Sequence, residues 1–209
     1  MSVLEKLACR QGRKDEVPNQ ELARALAARA DRKGIQEIAE NLWSQDKNVQ
    51  FDCVKVLYEI GYIKPDLIAG YVADFLKLLS NRQNRLVWGA MLALSTIATI
   101  KSREIFASVD KVMKAMESGS VITVDNGVQV LARVASTDAA YSKRIFPFLI
   151  EHLQTCRPKE VAQHAESTLC AVNAKNKQKY IDVLNERVGM LAPSQAARIK
   201  KVFQVLEKI

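Results

Sequence analysis

The chain repeats itself every 37 residues, and this period constrains its fold more than any other feature. Leu57, Leu94, Leu131 and Leu169 are separated by 37, 37 and 38 residues. One aligned column is small in every copy: Cys53, Ala90, Gly127 and Ala165. Another is β-branched in every copy: Ile60, Ile97, Val134 and Val172. Three further columns follow at the same spacing. They read Val72, Val109, Phe146 and Leu184; then Leu76, Met113, Ile150 and Val188; then Leu79, Met116, Leu153 and Leu191. Within a copy these positions fall at i, i+4 and i+7, which is one face of a helix. Each copy therefore reads as two amphipathic helices joined by a short polar turn.

The ends of the chain look like caps, which a stacked array needs because its terminal units have one neighbour instead of two. Leu22 and Leu26 precede Ile35, Ala39 and Leu42 in a shortened copy, with a tighter turn at Asp31-Arg-Lys-Gly34. A last helix starts at Pro193 and carries Ile199, Val202, Phe203 and Leu206. This divides the chain into an N-terminal segment, 1–17, and one repeat domain, 18–209. The domain comprises a capping unit 18–45, repeats 46–81, 82–119, 120–156 and 157–192, and a capping helix 193–209. Breakers sit at the unit edges, as at Lys64-Pro65, Arg157-Pro158 and Ala192-Pro193. Pro147 is the exception: it should kink the second helix of its unit or mark that helix's true first turn.

A two-helix unit of this length resembles the HEAT-repeat family, with armadillo repeats as the near relative. The stretch from Leu78 to Ala98 carries the likeness: a Leu-Leu helix end, the polar turn Ser80-Asn-Arg-Gln-Asn84, then a helix with small residues and a late Leu94. Asp46-Lys-Asn-Val49 is similar to the family's polar turn followed by Val. The column at Asp52 departs from the family's regular Asp and Arg ladder, reading Asp52, Gly89, Asn126 and His164. The resemblance implies an all-α, right-handed α-solenoid whose second helices line a concave face. It also implies a scaffold that binds proteins, since most such proteins do; a minority bind nucleic acid and a few are DNA glycosylases.

Composition excludes several classes. No stretch approaches the ~20 uncharged apolar residues of a spanning helix, so membrane insertion is not expected. At 48% hydrophobic the chain is too apolar for disorder. The N-terminus has no apolar run long enough for a signal peptide, and the four cysteines form no C-x-x-C pair, which points to reduced thiols in the cytoplasm. The net charge of +8 is uneven: residues 1–81 carry 12 Lys/Arg against 12 Asp/Glu, and residues 82–209 carry 19 against 11. A basic balance is compatible with nucleic acid or an acidic protein partner and does not choose between them. A solvated helix surface kept soluble by charge is the favoured reading.

Enzyme and cofactor motifs are nearly absent: there is no G-x-G-x-x-G, P-loop, H-E-x-x-H or G-x-S-x-G. No cofactor is expected. His152 and Cys156 are i, i+4 on one predicted helix face, a spacing that can hold zinc. His164 and Cys170 lie in the following helix but point about 120° apart. The sequence therefore favours surface histidines and buried cysteines over a metal site.

Two surfaces are candidates for binding. On the first helices, Phe51, Tyr58 and Trp88, with Asp125 following, lie well away from the small column, and Phe51 and Trp88 should be neighbours. Exposed aromatics are candidate anchors, but first helices also pack on each other along the array, and partly buried aromatics are the favoured reading. On the second helices, Lys77, Lys111, Lys114 and Arg144 form a basic centre flanked by acidic residues. A groove that tracks phosphates should carry one sign along its length, so the mixture favours a protein partner. The function this predicts is a protein-interaction scaffold, with a nucleic-acid-binding protein related to DNA glycosylases as the alternative.

Overall fold

A computed structural model describes residues 2–208. Among the described residues it has twelve α-helices, one of which, Ser102–Phe106, is an addition to the two-helix copy at 82–119. They are α1 (Val17–Arg29), α2 (Arg32–Glu40), α3 (Lys47–Ile63), α4 (Val72–Leu78), α5 (Asn84–Ile97), α6 (Ser102–Phe106), α7 (Val109–Glu117), α8 (Val121–Ala135), α9 (Ala139–Thr155), α10 (Pro158–Thr168), α11 (Lys177–Val188) and α12 (Pro193–Leu206). No strand occurs among the described residues. The chain forms two compact units, Met1–Gly127 and Val128–Ile209.

In the first unit, α3 lies between α1 and α5, so three first helices stand side by side. Each second helix packs on the first helix of the next pair, α2 on α3 and α4 on α5. The apolar columns form the core: Cys53, Leu57, Ile60, Ala90, Leu94 and Ile97 are fully buried. The N-terminal segment is tied to this core through Leu7 and Ala8, which are buried. In the second unit, α10 packs on α12, and each second helix packs on the next first helix, α9 on α10 and α11 on α12, with α9 also against α11. Ala165, Leu153, Leu184, Ile199, Val202 and Leu206 are buried there.

Helix starts follow their local chemistry. Asp46 at the start of α3 accepts from the Asn48 N–H, and Asp138 before α9 accepts from Ala140 and Tyr141. Such caps contribute about 1 kcal/mol each. Pro158 and Pro193 open α10 and α12 without sacrificing a helical donor.

The structure corrects four expectations. The tight turn near Asp31 is made by Ala30, whose φ of 49° is left-handed. The Asp31 N–H then bonds back to the Leu26 carbonyl at 3.0 Å. Gly34 lies inside α2 instead, where an added Cβ would come within 2.7 Å of Leu26 Cδ2. Pro147 lies well inside α9 and does not mark its first turn. Leu169, Val188 and Leu191 are only half-buried, because α10 and α11 end before or at those positions and the columns drift off the core face.

Two substitutions test this packing. A Cβ on Gly127 would overlap the Met116 side chain. Gly127→Leu should therefore lower unfolding stability by about 1–3 kcal/mol through overpacking. Ala30→Gly relieves a left-handed alanine and should raise it by about 0.5–1 kcal/mol. Urea unfolding followed by circular dichroism reads both. An unchanged midpoint for Gly127→Leu would mean that the small column is not a close contact.

Candidate functional site

The aromatic residues of the first helices form a connected strip, built differently from the sequence expectation. Phe51 does not stack on Trp88. The Arg85 guanidinium lies over the Phe51 ring, 5.2 Å from its centroid, and its Nη2 is 3.6 Å from Glu16 Oε1. Tyr58 takes the place beside Trp88, with ring centroids 6.1 Å apart, and sits at the same separation from Tyr62. Tyr58 is no exposed anchor: only 5% of its surface is accessible. α1 and α5 cover α3 on two sides, as the packing of first helices on one another requires. Phe51, Trp88 and Asp125 are half-buried.

Lys55 shows the cost of that enclosure. It is 6% exposed. Its ammonium sits 2.7 Å from Glu16 Oε2 and 2.8 Å from Glu59 Oε1, and 4.9 Å from the Tyr58 ring centroid. Burial works against the charged form, but the hydrogen bonds to Glu16 and Glu59 outweigh it and hold the Lys55 pKa above its ordinary value. Burial likewise pushes the Tyr58 hydroxyl up. Asp52, also buried, accepts from Asn19 Nδ2 and the Cys9 N–H, both at 2.8 Å. The N-terminal segment is thus fastened to α3, and a hollow of about 440 Å³ remains between it, Phe51 and Arg85. The Cys9 thiol is pushed up to about 12 by burial and by Asp52.

The second-helix side of the first unit is more open. Trp43, which follows α2 in a 3-10 turn, is 38% exposed. Its indole Nε1 donates to Asp74 Oδ1 at 3.0 Å, and Lys77 Nζ lies 4.3 Å from the ring centroid. A hollow of about 290 Å³ adjoins it, lined by Gln36, Ala39, Glu40, Trp43, Tyr71 and Asp74. Lys111 and Lys114 on α7 are exposed and hold the repeat positions of Asp74 and Lys77. Arg144 is exposed on α9 of the second unit. The sequence reading missed Trp43 because it falls outside the apolar columns. The signal was there: later copies carry Ser80 and Glu117 at that position.

In the second unit, His164 is fully buried and Cys170 is exposed, the reverse of the expectation for each. His152 is half-buried, and Cys156 is buried as expected. The two imidazoles meet, with Nε2 of His152 3.0 Å from Nδ1 of His164. Burial pushes the Cys156 thiol up to about 11. No helix among the described residues is long and apolar enough to cross a membrane.

Removing the Trp88 indole uncovers Tyr58 without touching the small column. Trp88→Ala should cost about 1–2 kcal/mol in urea unfolding, with helicity retained. A loss of helical signal in the folded baseline would instead make Trp88 part of the continuous core.

No family model matches the chain, and comparison with curated proteins returns no match. Solved structures do match. An engineered protein superimposes with a TM-score of 0.67 at 23% identity, over 98% of this chain and 94% of that one. A designed armadillo repeat protein in complex with the peptide (KR)4 matches with a TM-score of 0.67 at 15% identity, over 98% of both chains. Computationally designed armadillo repeat proteins for modular peptide recognition match at 0.68 and 14%, over 97% of both. The chain therefore has the fold of an all-α, HEAT/armadillo-like repeat solenoid.

Proposed function

We propose that the chain is a protein-interaction scaffold that binds an extended segment of a partner protein along the second helices of its first unit. The observation that carries this is Trp43: an exposed indole, fixed by Asp74 and Lys77, beside a hollow sized for a side chain. Large aromatics held rigid at an open surface are the residues that dominate binding energy. The fold supports the reading, since designed armadillo repeats include proteins for peptide recognition.

Charge specifies the segment. The outward positions change sign from copy to copy: Glu40 near Trp43, then Asp74 and Lys77, then Lys111 and Lys114. A partner that complements them carries basic residues at the Trp43 end and acidic residues at the α7 end. The carboxylates of Glu40 and Asp74 in the hollow's lining suit a partner Arg or Lys. Arg144, exposed on α9, belongs to the second unit and is not part of this site. Phe51, Tyr58 and Trp88 fit this reading as supports of the first helices, because their rings are engaged with Arg85, with each other or with Lys55.

The reversal of sign argues against a phosphate-tracking groove. Fluorescence anisotropy with synthetic peptides tests the proposal. A peptide with a basic block followed by an acidic block should bind at least about tenfold tighter than a scrambled peptide of the same composition. Trp43→Ala should weaken it by about tenfold or more, as expected for an anchor. Equal affinity for both peptides, or tighter binding of duplex DNA with a steep salt dependence, would overturn it.

A further inference from the structure

We propose that His152, Cys156 and His164 form a zinc-binding site across the turn from α9 to α10. The chain has two histidines, and both are in this cluster. His152 and Cys156 project from one face of α9 at i and i+4, with Cys156 closing the helix. His164 reaches back from α10 after Pro158 has turned the chain. Their three ligand atoms all lie within 4.8 Å of one another.

The distances suit a tetrahedral ion. Zinc–nitrogen bonds of about 2.0–2.1 Å and a zinc–sulfur bond of about 2.3 Å put two nitrogens about 3.3 Å apart and a nitrogen and sulfur about 3.6 Å apart. The two imidazole nitrogens are already 3.0 Å apart. The sulfur, within 4.8 Å of both nitrogens, has to close by about 1 Å at most. Zinc replaces the thiol proton, which leaves to solvent, so thiolate and two neutral imidazoles become the ligands. His152 is only half-buried, and through that side a water reaches the fourth position. Three protein ligands and one water is a set that zinc takes.

The repeat pattern shows that packing does not require these residues. In earlier copies the position of His152 holds Leu78 and Ala115, that of Cys156 holds Arg82 and Gly119, and that of His164 holds Asp52, Gly89 and Asn126. Three unrelated positions change to soft or borderline ligands in one turn, and the fold brings those three together. Cys170, the other candidate in this region, is exposed and outside the cluster.

The test uses the full chain, incubated with zinc chloride and passed through gel filtration without chelator. Elemental analysis should find one zinc per chain. Cobalt(II) in its place should give a thiolate-to-cobalt charge-transfer band. Cys156→Ser and His152→Ala, with helicity checked by circular dichroism, should each lower retained zinc at least about tenfold, and Cys170→Ser should leave it unchanged. His164 is fully buried and its removal threatens folding, so the two more accessible ligands carry the test. Retention below a tenth of an equivalent in the unsubstituted protein, absence of the thiolate band, or retention in Cys156→Ser and His152→Ala undiminished from the unsubstituted protein would overturn the proposal.

Discussion

A first helix can lie close on its neighbours because one position in it carries almost no side chain, and at Gly127 that neighbour is the second helix α7. Cys53, Ala90 and Ala165 are fully buried, and a single methyl on Gly127 would collide with Met116. Close approach makes the dispersion and apolar burial along each unit possible, and any larger residue there spends that energy on strain. The same constraint appears where α5 meets α3: a Cβ on Gly89 would lie 2.9 Å from both Val54 methyl carbons.

Enclosure has a consequence for polar groups. A helix flanked on two sides cannot keep its middle positions wet, so α3 buries Asp52 and Lys55 together with its apolar residues. Each is retained only with partners: Asp52 accepts two hydrogen bonds and Lys55 faces two carboxylates. One of those bonds comes from the N-terminal segment, so the helix stack also fixes residues that lie outside the repeats. The second helices bear fewer such demands. Their outward positions can vary in charge from copy to copy while their apolar columns stay constant, and a repeat protein varies its binding surface in this way without altering its core.

What was legible in the sequence follows from this division. The period, the two-helix unit and the buried columns were legible because packing repeats with the fold. Tyr58, a candidate anchor, is buried by the packing of first helices on one another, the alternative that the repeat itself offered. Trp43 was missed because it lies in a 3-10 turn after α2, off the helical columns. His152 and Cys156 were paired by their spacing, but His164 was set aside on its angle to Cys170; its ring instead lies across the turn, with all three ligand atoms within 4.8 Å of one another. Distances across turns are set by tertiary packing and are not encoded in residue spacing.

Amide hydrogen exchange on the intact protein, read by mass spectrometry, tests most directly whether close packing of the first helices holds the first unit together. α3 lies between two neighbours and should exchange slowest there, with α5 close behind and the Asn81–Gln83 turn fastest. Exchange of α3 as fast as that turn would contradict the account.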